Sequence, residues 1–250
     1  MSAKGHELKR VLFIPDTHIP YHDRRAWKLM LQVPQELGFH TCRIGGDFWD
    51  CYAVSAHSKN PNRLTQVEDE LEDVNKCLDQ LDACGFKRKV YVEGNHEFRL
   101  KRALQDKMPQ LYNMVTLKKL LRLKERGWEF VPYMDDTLIG KLYTTHCIGN
   151  SSNAMKAFNK YQDNVVTDHN HAIDFHVRGN AKSVPHVSAT FGWLGDVEKV
   201  DYMHKINART NWALGFGVGF LEENGCIHLQ PAPLVNYRVV VEGRLFKENA

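Results

Sequence analysis

The 250-residue sequence has no Cys-x-x-Cys pair; its six cysteines, Cys42, Cys51, Cys77, Cys84, Cys147 and Cys226, are scattered. This excludes a compact disulfide framework and points to reduced thiols in a cytoplasmic setting, where they serve as small buried apolar groups. No apolar run approaches the length that spans a bilayer, so no membrane association is expected. Met1 to Arg10 is polar and lacks the apolar stretch of a secretory leader. A strong charge imbalance is also missing. The formal net charge is +3, so bulk charge neither demands nor forbids nucleic acid. Internal repeats, low-complexity tracts and linkers are absent too. The chain, 43% hydrophobic, is long enough to bury one good core, and residues 1–250 are read as a single domain with a β-rich C-terminal part from about residue 172.

What the sequence does have is histidine, 13 in all, and several follow apolar runs beside carboxylates or Asn. Arg10-Val11-Leu12-Phe13-Ile14-Pro15 predicts a central strand that ends in Asp16-Thr17-His18. A helix is expected from Asp23 to Leu37, with Asp23 as its N-cap and Pro34 disturbing its end. Thr41, Cys42 and Ile44 read as the end of a buried strand. Gly45-Gly46 then lets the backbone turn without a Cβ clash, and the turn delivers Asp47 and Asp50. Leu64, Val67, Leu71, Val74, Leu78 and Leu81 recur at steps of three and four, which predicts a helix over 64–81 stopped by Gly85. Val90-Tyr91-Val92 is a third strand and ends in Glu93-Gly94-Asn95-His96-Glu97. Residues 99–123 are basic and helical in composition, divided by Pro109.

Beyond Trp128 the pattern turns to β. Trp128–Val131, Thr137–Ile139 and Lys141–Thr145 read as strands, the last ending in His146. A helix is expected over Ser152–Tyr161, and Asn164–Thr167 is a short strand ending in Asp168-His169-Asn170-His171. Strand formers return at 215–221, 226–229 and 237–246.

Five strand ends therefore carry Asp16/His18, Asp47/Asp50, Asn95/His96, His146 and His169/His171. Carboxylate and imidazole suit borderline divalent metals, and packing alone does not require such residues at five successive strand ends. Open α/β sheets place their ligands at this end of their strands. The seven other assigned histidines, His22, His40, His57, His176, His186, His204 and His228, read as ordinary core or surface residues. His57 is the exception to watch, because it follows the Asp47 loop.

The ordered set Asp16-Thr17-His18, Gly46-Asp47, Gly94-Asn95-His96-Glu97, Thr144-Thr145-His146 and Asp168-His169-Asn170-His171 closely resembles the calcineurin-like metallophosphoesterase family, in particular its compact phage and bacterial members. The resemblance spans roughly residues 10–172. It implies a four-layer α/β/β/α sandwich with two metals at the strand ends. Asp16, His18, Asp47 and His171 would hold the first. Asp47, Asn95, His146 and His169 would hold the second, with Asp47 as the bridge. It further implies hydroxide generated between the cations, His96 as the proton donor to the leaving oxygen, and Asp50 orienting that ring. Arg99 would grip substrate phosphate or lie on a helix surface. Manganese is the expected metal, with iron, zinc and nickel open. Where the family carries Gly, this chain has Asp168, which would strain the turn or add negative charge beside the second metal. Gly179-Asn180-Ala181-Lys182 is rejected as the last motif, because an ammonium cannot ligate a cation.

The expected activity is hydrolysis of phosphate esters. Nucleotide or nucleic-acid phosphodiesters are favoured by Lys87, Arg88, Lys89, Arg99, Lys101, Arg102, Lys118, Lys119 and Arg122, which would track a phosphate backbone. The segment after Asp47, Phe48-Trp49-Asp50-Cys51, lacks the Arg that Ser/Thr protein phosphatases carry there. A phosphomonoesterase, a protein phosphatase and a non-catalytic nucleic-acid-binding module remain the alternatives. Oligomeric state is open, since Phe191-Gly192-Trp193-Leu194 and Asn211-Trp212 suit either an apolar patch or core.

Overall fold

In a computed structural model of the chain, residues 8–63, 65–149, 152–179, 185–200 and 211–248 are described. Leu64, expected to open the second helix, and residues 180–182 of the rejected motif lie outside them. The first strand, β1 (Lys9–Ile14), leads into α1 (Arg24–Leu37). The Asp23 side chain accepts hydrogen bonds from the Arg25 and Ala26 amides, as its place before the helix predicts. Pro34 does not end α1. It lies inside the last turns, and the helix runs on to Leu37, where Gly38 closes it in the left-handed region at φ 66°.

β2 (Thr41–Ile44), α2 (Val67–Asp82) and β3 (Arg88–Val92) follow, then α3 (Phe98–Lys107) and the short α4 (Leu117–Leu120) on either side of a turn at Pro109. β4 (Trp128–Val131), β5 (Thr137–Ile139), β6 (Leu142–Thr144), α5 (Ala154–Tyr161) and β7 (Val165–Val166) come next. The chain then adds β8 (Ile173–Arg178), β9 (His186–Phe191), β10 (Gly215–Leu221), β11 (Ile227–Pro233), β12 (Arg238–Val241) and β13 (Arg244–Lys247).

Two sheets result. One has the order β11-β10-β1-β2-β3-β4 and the other β5-β6-β7-β9-β8. They face each other through Val11 and Phe13 on one side and Ile139, Leu142, Val166, Ala189 and Phe191 on the other. The outer face of the first sheet buries Leu12, Ile14, Cys42, Ile44 and Tyr91 against the apolar stripes of α1, α2 and α3. α5 covers the outer face of the second through β7, β8 and β9. The architecture is thus the four-layer α/β/β/α sandwich.

β1, β2, β3 and β4 are parallel, as are β6, β7 and β9. Their carboxyl ends therefore open onto one edge of the sandwich, and every ligand candidate lies just beyond one of them. β8 and β9 are strands beyond the expected set; β8 does alternate apolar and polar residues, Ile173-Asp174-Phe175-His176-Val177-Arg178, but Phe175 and Val177 are exposed, so the alternation marks no buried face. The strand former run at 237–246 folds as a hairpin rather than one strand. Glu242 and Gly243, at φ 50° and 73°, supply the positive angles of its two-residue turn.

Candidate metal centre

The loops after β1 and β2 are laced together. The Asp47 carbonyl accepts from the Thr17 and His18 amides at 3.0 and 2.8 Å, and across the same gap the Ile19 amide donates to the Phe48 carbonyl and the Asp50 amide to the Ile19 carbonyl. Close approach explains the glycines. A Cβ on Gly46 would meet the His146 ring at 2.6 Å, and one on Gly94 would meet the Asp47 amide at 2.1 Å. Four of the seven ligand candidates, His18, Asp47, His169 and His171, hold left-handed backbone at φ 55°, 48°, 77° and 59°. Such angles cost roughly 1 kcal/mol or more each and persist only where the surroundings dictate them.

The side chains converge. Ligand atoms of Asp16, His18 and His171 lie within 4.8 Å of one another, and so do those of Asp47, His146 and His169. Asp47 also falls within that distance of His18 and His96, which places it between the two groups. His171 Nε2 is 3.1 Å from Asp16 Oδ2 and 3.1 Å from His18 Nε2. His146 Nε2 is 2.9 Å from Asn95 Oδ1 and 3.5 Å from Asp47 Oδ2. All seven candidates named from the sequence thus meet in one place.

The donor set suits divalent cations. Burial pushes the carboxyls of Asp16 and Asp47 up, but the surrounding imidazoles outweigh it and hold both below the ordinary range. Burial likewise opposes charge on His146, yet Asp47 raises its pKa well above the usual value. Anionic oxygens packed this closely draw positive charge into the cluster, which bound cations supply more fully than protons. Two imidazole nitrogens 3.1 Å apart, at His18 and His171, also suit a shared cation better than each other.

Asp50 lies beside this cluster and joins two rings. Its Oδ2 accepts from His18 Nδ1 at 3.0 Å and from His96 Nδ1 at 3.2 Å. Arg99 donates to His96 Nε2 at 2.8 Å and to the Asp50 carbonyl at 3.1 Å. A guanidinium only donates, so Nε2 accepts here and Nδ1 carries the proton toward Asp50. His96 Nε2 also stands 3.8 Å from Asp47 Oδ2, at the edge of the cluster.

Three features lay outside the sequence reading. Glu97 was noted only as part of a motif, but its buried carboxylate accepts from the amides of Asp47, Gly94, Phe48 and Trp49 and from the Tyr91 hydroxyl, all at 2.8–3.0 Å. It shapes the loop that aims Asp47. Trp193 is buried and stacks on the His171 ring at 4.8 Å, while Trp212 meets the same ring edge-on at 4.5 Å. The third is Arg43. It lies fully buried in β2 and pairs with Asp168, while its Nη2 donates to the Thr145 carbonyl at 2.9 Å. The expected strain at Asp168 is not seen, since its backbone is not left-handed; its carboxyl lies near His146 and Asp16 and pairs with Arg43 between the sheets.

The basic residues divide. Arg99 and Arg102 line the approaches to the cluster. Arg88 and Lys89 start the strand whose far end carries Asn95, and they pair with Glu129 and Asp82. Lys101 and Lys118 line a separate hollow with Glu93.

No protein-family model matches the chain, and no curated protein matches it. Solved structures do. Vacuolar protein sorting 29 from Cryptosporidium parvum is similar at a TM-score of 0.50 and 14% identity, over 96% of this chain and 95% of that one. The chain has the metallophosphoesterase fold. Other similar structures are a mutant Vps29 from Entamoeba histolytica (TM-score 0.46, 12% identity, 94% and 95% covered) and YfcE, a phosphoesterase from E. coli (0.40, 14%, 88% and 98%). Among the described residues no helix is long and apolar enough to cross a membrane.

Proposed function

We propose that the chain is a metal-dependent phosphoesterase of the calcineurin-like kind that hydrolyses phosphodiesters, with nucleotides or nucleic acid as the favoured substrates and manganese as the favoured metal. The observation that carries this reading is the double cluster, in which Asp47 falls in two ligand groups and Asp16 completes a third. Bound there, two divalent cations would polarise the phosphoryl oxygens and make hydroxide available near neutral pH.

The chain's own residues supply the rest. Asp16, His18, Asp47 and His171 would hold one cation, with Asp47 shared. Asp47, Asn95, His146 and His169 hold the other. The Asp50 carboxylate, 3.2 Å from His96 Nδ1, fixes the ring with Nε2 toward the cluster, where it would pass a proton to the leaving oxygen. Arg99, already 2.8 Å from that nitrogen, is placed to turn its fork onto a non-bridging phosphate oxygen as substrate enters.

The test is hydrolysis of bis(p-nitrophenyl) phosphate and p-nitrophenyl phosphate with added Mn²⁺. Turnover is expected on the diester, lost in Asp47→Asn. His96→Asn is expected to keep its metal and to lose about a hundredfold or more on esters with poor leaving groups. Loss of metal in that variant would make His96 a ligand instead of the acid. Binding of DNA or RNA with no turnover under any metal would favour a non-catalytic module.

A further inference from the structure

The metal cluster opens onto two clefts. The larger, of about 560 Å³, is reached past His18, Asp50 and His96 and is walled by Tyr21, Tyr52 and Trp193. The smaller, of about 350 Å³, is reached past Asn95 and His169 and is walled by Arg102, Asp106, Lys107 and Tyr133, so that with Arg99 its cations outnumber its one carboxylate. His57 and Arg99 line both, so the two meet at the cluster.

The clefts differ in chemistry. In the larger, Tyr21 and Tyr52 meet edge-to-face at 5.7 Å, and the Arg63 guanidinium lies 4.4 Å above the Tyr21 ring. Arg63 is held there by a 2.7 Å bond to the carbonyl of Lys199, a residue that also lines this cleft and whose ammonium pairs with Asp196. Flat rings with cations beside them are how proteins take an unpaired base and its phosphate. In the smaller cleft Arg102 and Lys107 are exposed on α3, along the line that leads away from the cluster.

We infer that the substrate is a single strand of nucleic acid that passes through both clefts, with the scissile phosphodiester at their junction. This rests on the phosphoesterase reading above and names its substrate class. A monoester would fill one cleft and leave the other without a function. A diester has two arms, and the site has a place for each. His96 lines only the larger cleft, so the leaving nucleoside lies among Tyr21, Tyr52 and Trp193. The retained strand follows Arg102 and Lys107. Water, having given up one proton, adds to phosphorus, the phosphorus–oxygen bond to the leaving arm breaks, the proton from His96 ends on that oxygen, and the proton from water restores His96 through solvent. The products are one phosphomonoester end and one hydroxyl end.

The experiment compares a single-stranded oligonucleotide with bis(p-nitrophenyl) phosphate, both with Mn²⁺, in the wild type and in Tyr52→Ala, Arg63→Ala and Arg102→Ala. The wild type is expected to cleave the oligonucleotide internally, with kcat/KM at least tenfold above the chromogenic diester. Each variant should lower that ratio severalfold, chiefly through KM, and added salt should raise KM for the oligonucleotide more steeply. Turnover of the chromogenic diester with no advantage for the oligonucleotide, or ratios unmoved by all three variants, would overturn the inference while leaving the phosphoesterase reading in place. Cleavage of mononucleotides in preference to strands would overturn it as well. No turnover of either substrate would remove the reading and the inference together.

Discussion

Two buried carboxylates stand behind the ligand cluster, and the protein treats them in opposite ways. Glu97 receives five neutral donors, four of them amides of the loops it shapes. Asp168 receives one guanidinium, from Arg43, and its Oδ1 has no hydrogen-bond partner. Burial pushes both carboxyls up to about 7, helped by the charge of Asp47 for Glu97 and opposed by Arg43 for Asp168. The lesson is one of separability. Glu97 is bound up with backbone that cannot be mutated away, whereas Arg43 and Asp168 are two side chains that can be removed together, at the cost of the one bond Arg43 gives the Thr145 carbonyl.

The largest expected effect follows from this. Glu97→Ala would orphan five donors at once. At roughly 1–3 kcal/mol for each buried donor left unpaired, a loss upward of about 4 kcal/mol is expected in denaturant unfolding. A loss below about 1 kcal/mol would mean that the loop around Asp47 holds itself. Arg43→Met comes next, because it strands a buried carboxylate, and should cost about 3–5 kcal/mol. The double variant Arg43→Met/Asp168→Gly is expected to recover most of that loss. If the losses of the two single variants simply add, the charges of Arg43 and Asp168 are not coupled.

A third buried carboxyl sharpens the contrast. Glu70 accepts from Trp49 Nε1 and the Ala53 amide, and burial raises it from 4.5 to about 7. Between those values the folded state keeps a proton that the unfolded chain has released. Stability from this group is therefore present below pH 4.5 and is lost as pH rises toward 7. The difference in unfolding stability between wild type and Glu70→Gln, followed across that window, should change in this direction. A difference that stays flat would show that Glu70 titrates normally. The smallest effect is expected at Arg88 and Glu129, the same chemistry as Arg43 and Asp168 but with side chains 32% and 52% exposed. A double-mutant cycle there should give under about 1 kcal/mol, falling with salt. A coupling as large as the buried pair's would undo the argument from burial.

The sandwich was legible because its organising strands are short apolar runs that stop on ligand-type residues. Asp16, Asp47, Asn95, His146 and the His169/His171 pair each follow such a run, and each run became a parallel strand. What stayed hidden is non-local. Arg43 finds Asp168 across 125 positions, and nothing near either residue announces the other. Trp193 reads from the sequence only as an apolar residue, yet it sets the plane of His171. The basic run at 87–89 looked like part of one surface with Arg99 and Arg102, but the length of β3 separates them. His57, flagged only for following the Asp47 loop, lies where the two clefts meet.

The central claim is that loops from both sheets assemble a site for two cations with Asp47 between them. The most direct test is titration of the metal-free protein with Mn²⁺, counting equivalents bound per chain. The account requires close to two in the wild type and no more than one in Asp47→Ala. A wild type that saturates at one or none, or an Asp47→Ala protein that still takes two, would contradict it.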